Sequence, residues 1–116
     1  MFAGDFEKAR ERYKQALKVV KDAQTETSIK TFITISYLFQ RNFEGALDNL
    51  YSMEESFKKS KKIDSSYLLW QLREIERLKF ICYAHNQMEK ESQKALEKTI
   101  ELNEKFVNMS KDETGV

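Results

Sequence analysis

The sequence predicts an all-α protein, and three observations carry this prediction. The 116 residues contain no proline and only three glycines, whereas strand-rich domains need both residue types for their tight turns. Apolar residues recur at intervals of three and four along most of the chain, which is the period of a helix with one buried face. One pattern also occurs twice: a polar turn, an aromatic residue and then alanine, as in Phe6 and Ala9 and again in Phe43 and Ala46.

The first two predicted helices, 5–21 and 28–40, differ in their apolar pattern. Helix 5–21 has one apolar stripe, formed by Phe6, Ala9, Tyr13, Ala16, Leu17 and Val20, and Asp5 is a suitable N-cap. Helix 28–40 is apolar on more than one face, which predicts a buried helix, although its β-branched residues leave a strand as an alternative. The polar residues 22–27 are predicted to connect the two helices.

Three further helices are predicted at 43–59, 66–85 and 88–109. Asn42 is a suitable N-cap for the first of them, and Asp64 with Ser65 is a suitable cap for the second. In the last helix the inward positions are predicted to be Met88, Ser92, Ala95, Leu96, Thr99, Ile100 and Phe106. We predict about five helices in a single domain over residues 1–109, followed by a disordered tail at 110–116, where no apolar pattern remains.

Composition and charge argue against several classes of protein. Hydrophobic residues make up 41% of the chain, charged residues 34%, and the formal net charge is +1. This balance gives no overall attraction to nucleic acid or to an anionic membrane, and no apolar run reaches the roughly 18 residues that span a bilayer. A single cysteine and the absence of a visible signal peptide fit the reducing cytoplasm, so we expect a cytoplasmic protein without nucleic-acid or membrane partners.

The twice-occurring pattern resembles the tetratricopeptide repeat family, in which a short polar turn joins two helices. The matching positions are Gly4, Asp5, Phe6, Ala9, Tyr13, Ala16 and Leu17, and then Tyr37, Arg41, Asn42, Phe43, Ala46 and Leu50. A weaker third unit begins near Tyr83, which lies 46 residues after Tyr37 instead of the roughly 34 of a standard repeat. The resemblance implies antiparallel helix-turn-helix repeats that form a short right-handed α-solenoid. A plain helical bundle is the alternative.

The resemblance also implies a function, because proteins of this family bind partners in a concave groove lined by the first helix of each repeat. The groove residues would be Ile35, Leu38, Phe39, Arg77, Ile81 and His85. We therefore expect a scaffold or adaptor that binds a protein or a peptide. The alternative is a structural subunit that forms a homo-oligomer or belongs to a larger solenoid, with the same side chains serving as core or covered by a neighbouring helix.

We expect the protein to be non-catalytic, without cofactor or metal. Cys82 and His85 lie three positions apart and could approach each other on one helix. However, Cys82 belongs to an apolar stripe, where a thiol usually serves as packing, and no third group is evident to orient the histidine. One histidine and one cysteine are also too few to form a zinc site.

Overall fold

A computed structural model describes residues 3–59 and 65–114, and within these ranges all regular secondary structure is helical. The five helices are α1 (Ala3–Leu17), α2 (Ala23–Phe39), α3 (Phe43–Lys59), α4 (Ser65–His85) and α5 (Glu89–Thr114). The predicted all-α class with five helices is therefore confirmed. The predicted bounds of α3 agree with the structure, and those of α4 agree to within one residue.

The chain divides into two compact units, and the division falls inside α3. One unit ends at Met53 and contains α1, α2 and most of α3, whereas the other begins at Glu54 and contains the end of α3 with α4 and α5. The prediction of one domain over residues 1–109 stays a prediction. The predicted disorder of residues 110–116 also stays a prediction: α5 extends to Thr114, and residues 115–116 lie outside the described ranges.

The ends of α1 and the start of α2 differ from the prediction. Helix α1 begins at Ala3, so Asp5 lies in its first turn and is not the N-cap. Helix α2 begins at Ala23 because Asp22 caps it: the Asp22 carboxylate accepts a 2.8 Å hydrogen bond from the Thr25 N–H. This bond lowers the pKa of Asp22. The predicted connection at 22–27 is therefore mostly helix, and the strand alternative for 28–40 is wrong.

In the first unit, α1 packs on α2 through a buried cation. The Arg10 side chain is buried, its Nη1 donates a 3.1 Å hydrogen bond to Ser36 Oγ, and its guanidinium lies 4.2 Å from the centre of the Tyr37 ring. The positive charge is thus placed over an aromatic face, which attracts it electrostatically. These contacts of the buried Arg10 side chain fix the position of α1 against α2.

Helix α3 packs against α2 through one amide group. Asn49 Nδ2 donates to the Lys30 carbonyl at 2.7 Å and to Thr34 Oγ1 at 2.6 Å, while Thr34 Oγ1 lies 3.8 Å from Met53 Sδ. Later residues of α3 meet earlier residues of α2, so the two helices are antiparallel. The buried hydrophobic residues of this unit are Ile33, Ala46, Leu47, Leu50 and Met53.

In the second unit, α4 and α5 form an antiparallel pair. Arg73, early in α4, donates a 2.7 Å hydrogen bond to Asn103 Oδ1, late in α5. The buried hydrophobic residues of this unit are Phe57, Ile75, Leu78, Cys82, Tyr83, Ala95 and Leu102. Two predicted inward positions of α5 were wrong, since Ile100 is 52% exposed and Met88 is exposed, whereas Leu102, which was not predicted, is only 6% exposed. The predicted cap at Asp64 lies outside the described residues.

The turns α2–α3 and α4–α5 have the same construction. Arg41 and Gln87 adopt positive φ angles of 58° and 59°, the left-handed conformation that ends many helices. In the first turn the Asn42 N–H bonds the Tyr37 carbonyl at 2.8 Å, and in the second the Met88 N–H bonds the Tyr83 carbonyl at 2.9 Å. The helices on both sides end and begin with the same offset, which is the predicted 46-residue spacing of Tyr37 and Tyr83.

Candidate functional site

The first unit carries two stacked aromatic pairs, each joining α1 to α2. The rings of Phe6 and Phe39 lie 6.3 Å apart with an interplanar angle of 17°, and those of Tyr13 and Phe32 lie 5.8 Å apart at 18°. Along α1, Tyr13 follows Phe6 by seven residues, and along α2, Phe39 follows Phe32 by seven residues. Seven residues correspond to about 10 Å along a helix axis. These four residues are called the aromatic surface below.

Two of the four rings are largely open to solvent. Phe39 is 73% exposed and Phe32 is 52% exposed, whereas Phe6 and Tyr13 are half-buried. Exposed rings of this size cost free energy in an isolated protein, because about 25 cal/mol is lost for each Å² of apolar area left in water. Stacking restricts the orientation of the rings and stabilises each pair.

Helical periodicity explains why these side chains share one surface. On α1, Ala9 lies between Phe6 and Tyr13 at three- and four-residue spacing, and on α2, Ile35 lies between Phe32 and Phe39 in the same way. Both central residues are half-buried. Since alanine is small, the surface is lower at its centre than at the aromatic pair on either side.

The charge around the aromatic surface is unevenly distributed. Residues 31–40 of α2 contain no charged side chain, and the preceding Lys30 is mostly covered and paired with Glu26 at 3.0 Å. On α1, the exposed residues Asp5 and Arg12 flank Ala9, four positions before it and three positions after it. The surface therefore has an uncharged centre, with an acidic group at one end of its α1 edge and a basic group at the other.

The three groove residues predicted on α2 lie in the first unit. Phe39 belongs to the aromatic surface, Ile35 lies between its two pairs, and Leu38 is half-buried. Phe6 and Tyr13 were predicted to lie in the apolar stripe of a buried helix face, and the exposure of Phe32 was not predicted. The available signal was that α2 is apolar on more than one face, which exceeds what a single core contact can bury.

The three groove residues predicted on α4 lie in the second unit, spaced four residues apart along one side of the helix. Arg77 is exposed, and its Nη2 lies 2.8 Å from a carboxylate oxygen of Glu74. Ile81 is half-buried and His85 is exposed. The assignment of these residues to a binding groove stays a prediction.

The second unit contains a cleft of about 350 Å³ with an apolar lining and charged groups around it. Its lining residues are Glu54, Phe57, Lys58, Leu68, Leu72, Glu76, Lys98 and Leu102. The nearby Lys79 Nζ lies 2.6 Å from Glu54 and 3.3 Å from Glu76, so both carboxylates of the cleft share one ammonium group. Such an arrangement compensates the partly buried charges of these side chains within the protein.

The opposite charges of Glu54 and Lys79 shift the pKa of each group in the direction that favours its charged form. Burial alone would raise the pKa of Glu54, but the hydrogen bond from Lys79 and the charges of Lys79 and Lys58 outweigh it, and the pKa is lowered. Burial alone would lower the pKa of Lys79, but the hydrogen bond to Glu54 and the charges of Glu76 and Glu54 raise it. Both groups therefore stay charged at neutral pH.

The cysteine that sequence analysis considered as a nucleophile is fully buried. Burial raises the pKa of the Cys82 thiol to about 11, so the group is neutral at physiological pH and a poor nucleophile. Over residues 3–59 and 65–114 no set of histidine, cysteine and carboxylate side chains is arranged to hold a metal ion. None of the helices described there is both apolar enough and long enough to cross a membrane.

Three comparisons with known proteins give no match: no family model fits the chain, and neither a curated protein nor a solved structure is similar to it. The resemblance to tetratricopeptide repeats thus depends on the residues named above. Within the described residues, the aromatic surface is the most distinctive feature of the protein surface, and the function is inferred from it below.

Proposed function

We propose that the protein is a non-catalytic interaction scaffold that binds an apolar helix or peptide of a partner protein on the aromatic surface. The exposure of two stacked phenylalanine rings, Phe32 and Phe39, carries this proposal. Contiguous exposed apolar groups on a soluble domain usually mark a contact site. Aromatic side chains also contribute a large share of the binding energy at protein interfaces.

The stacking of the rings makes them suitable for binding. A flexible side chain loses conformational entropy when a partner fixes it, whereas the Phe39 ring is already held against Phe6 and the Phe32 ring against Tyr13. Less of the interaction energy is then spent on ordering the surface. The uncharged stretch 31–40 favours a partner segment that is itself apolar, since a charged side chain would find no counter-ion at the centre.

The proposal includes a short solenoid similar to tetratricopeptide repeats. The identical construction of the turns at Arg41 and Gln87, with a tyrosine carbonyl accepting the closing bond in each, supports a repeat of 46 residues. A non-catalytic role is supported by the neutral, buried thiol of Cys82. We further propose that the protein works in the cytoplasm, where a free thiol is stable.

Selection from a displayed library of helical peptides tests the proposal. We expect the wild-type protein to enrich peptides with apolar residues at intervals of three and four, and Phe39→Asp to weaken their binding at least about tenfold. Ile100→Asp is the matched control, because Ile100 is a large exposed apolar residue of the second unit. This control should bind as the wild type does.

Circular dichroism separates loss of binding from loss of folding. Since Phe39 is 73% exposed, the Phe39→Asp variant should keep the helicity of the wild type. A library that yields no binder, or binders that tolerate Phe39→Asp, would overturn the proposed function. A parallel loss of helicity would place Phe39 in the core and would also contradict the proposal.

A further inference from the structure

We infer that the partner on the aromatic surface is a second copy of this chain, bound in a symmetric antiparallel dimer. This inference rests on the proposed function and names the partner of the same surface. It follows from the internal arrangement of the surface, in which two similar aromatic pairs lie on either side of Ala9 and Ile35.

The arrangement is compatible with two-fold symmetry. A two-fold axis that runs along the interface, perpendicular to the helices and past Ala9 and Ile35, exchanges the two aromatic pairs. The Phe6–Phe39 pair of one copy would then lie on the Tyr13–Phe32 pair of the other. Residue i of each copy contacts residue j of its partner, as an isologous interface requires. The small side chain of Ala9 at the centre allows the two α1 helices to approach closely.

The charges at the edge of the surface favour the antiparallel direction. Asp5 and Arg12 are exposed on the same edge of α1, seven residues apart, and carry opposite charges. In the antiparallel arrangement Asp5 of one copy faces Arg12 of the other at both ends of the α1 edge. Two opposite-charge pairs thus form across the interface. Complementary charges at the rim of an interface determine register and orientation more than affinity.

Apolar pairing in the dimer also accounts for the uncharged stretch of α2. Residues 31–40 of one copy would face residues 31–40 of the other, so an unpaired charge in this stretch would be desolvated twice. Lys30, the cation that directly precedes this stretch, is turned to Glu26 of its own helix, with its Nζ 3.0 Å from the carboxylate, and the Arg10 guanidinium is buried against the Tyr37 ring. The surface therefore meets a copy of itself without burying an uncompensated charge.

Sedimentation equilibrium of the full chain over a roughly hundredfold range of concentration tests for the dimer. We expect the wild type to pass from monomer to dimer, and Phe39→Asp to raise the dissociation constant at least about tenfold. The Ile100→Asp control should associate as the wild type does. A wild type that stays monomeric throughout would overturn the dimer, as would association that tolerates Phe39→Asp.

Charge reversal tests the antiparallel arrangement without altering the apolar centre. Asp5→Arg and Arg12→Asp should each weaken the dimer several-fold, because each creates two like-charge contacts across the interface. The double variant carrying both changes should restore the wild-type dissociation constant. Glu7→Arg, which alters an exposed acidic residue on another face of α1, is the control and should have little effect. Additive weakening in the double variant would contradict the antiparallel pairing.

The peptide selection, which tests the proposed function, and the sedimentation experiment, which tests the dimer, can fail separately. A monomer that still enriches helical peptides in a manner sensitive to Phe39→Asp would retain the proposed function and refute the self-association. A dimer that tolerates Phe39→Asp, together with an unproductive peptide selection, would refute both. Restoration by the double charge reversal would establish the second copy as the partner and its direction.

Discussion

Tyr37 illustrates how a single residue holds together the first unit. Its carbonyl accepts the Asn42 N–H at the end of α2, and its ring lies under the buried Arg10 guanidinium. The same ring lies against Gly45 in the first turn of α3, so closely that a Cβ built on that glycine would be 2.9 Å from Tyr37 Cδ1. The side chain therefore fixes the distance between α2 and α3 at the turn.

We predict that Gly45→Ala destabilises the protein, although alanine is the better helix former. Overpacking against the tyrosine ring and against Asn42 should outweigh the helix-propensity gain and leave a net loss of about 1 kcal/mol in the free energy of unfolding. Chemical denaturation measures this loss. In a Tyr37→Ala background the same substitution should cost less, because only the contact with Asn42 remains, and a stabilising effect in the wild-type background would contradict the steric explanation.

A second prediction concerns Lys79, which neutralises two carboxylates. Lys79→Met should lower the free energy of unfolding by about 2–3 kcal/mol at pH 7, since Glu54 and Glu76 lose their shared cation. Lys58→Met is the matched control. The Lys58 side chain is 65% exposed and lies 3.6 Å from Glu54, so its loss should cost only about 0.5 kcal/mol.

The loss caused by Lys79→Met should shrink on acidification. In the wild type the pKa of Glu54 is lowered, so its contribution to stability is present above the unfolded-state pKa and is lost as the pH falls through the folded-state pKa. Without Lys79, burial dominates and the pKa of Glu54 should lie above its unfolded value, so the variant gains stability as the pH falls. The difference in the free energy of unfolding between the wild type and Lys79→Met should therefore be smaller at about pH 4 than at about pH 7. A constant difference would show that Lys79 acts through packing alone.

At the scale of elements, the two left-handed turns set where the helices of both units end. Non-glycine residues occupy the left-handed position at Arg41 and Gln87, at a cost of about 1 kcal/mol each. The reversed hydrogen bonds to Tyr37 and Tyr83 compensate for this cost by satisfying carbonyl groups at the helix ends. The two turns therefore have the same geometry, although their sequences differ.

We predict that Arg41→Gly stabilises the protein by about 0.5–1 kcal/mol, because glycine adopts a φ of 58° without steric strain. The adjacent Gln40→Gly is the control. Gln40 has φ −84° and ψ 0°, where glycine has no steric advantage and only adds freedom to the unfolded chain. That control should lower the melting temperature, and a matching decrease for Arg41→Gly would refute the interpretation.

Local capping chemistry determined which helices could be located from sequence. The start of α3 was predicted correctly because Asn42 precedes it, and the Gly45 N–H indeed donates to the Asn42 side chain at 2.9 Å. Asp22 is an equally good cap, but its signal was outweighed by the polar composition of residues 22–27. Polarity there reflects one exposed side of the first turns of α2, which a composition argument cannot distinguish from a loop.

The inward face of α5 was only partly predicted because some of the predicted positions follow one another in steps of four. Each such step turns about 40° past a full helical turn, so successive residues rotate away from the core. From Ser92, which is buried, the steps lead to Ile100, which is 52% exposed. Ala95 and Leu102, seven residues apart, stay on the buried side. The sequence of this long polar helix is compatible with a buried face that contains Ile100 or one that contains Leu102, and packing against α4 selects the second.

At the scale of the whole molecule, the boundary between the two compact units lies inside one helix. The division falls between Met53 and Glu54, whereas α3 continues from Phe43 to Lys59. A helix propagates cooperatively, since each hydrogen bond fixes one further residue. We therefore expect α3 to couple the unfolding of the two units.

The single tryptophan makes this coupling measurable. Trp70 lies in α4, so its fluorescence reports on the second unit, whereas circular dichroism reports on all helices. The two transitions should coincide in the wild type and separate in Glu55→Pro, which removes one helical bond at an exposed position and costs about 3 kcal/mol. Glu55→Ala should leave them coincident. Separate transitions in the wild type would contradict the coupling.

The candidate binding surface could be predicted only in part, for a reason that concerns the whole chain. Apolar periodicity identifies side chains that avoid water, but it does not say whether the same chain or a partner covers them. Phe39 was assigned to a binding surface through the family resemblance, whereas Phe6 was assigned to the core from periodicity. In the structure these two rings stack on each other. Phe32 remains 52% exposed although the Tyr13 ring of α1 stacks on it, and apolar periodicity within one helix does not predict such partial coverage.

The burial of Cys82 gives the protein an internal reporter of its own fluctuations. A thiol reagent reacts with the thiolate, and this side chain has no exposed surface and a pKa raised to about 11. Labelling can therefore proceed only from molecules in which the region around α4 has opened, where the thiol regains ordinary reactivity. The ratio of the labelling rate to that of a free cysteine gives the equilibrium constant for opening under native conditions. With one cysteine in the chain, mass spectrometry would follow this opening without any engineered probe.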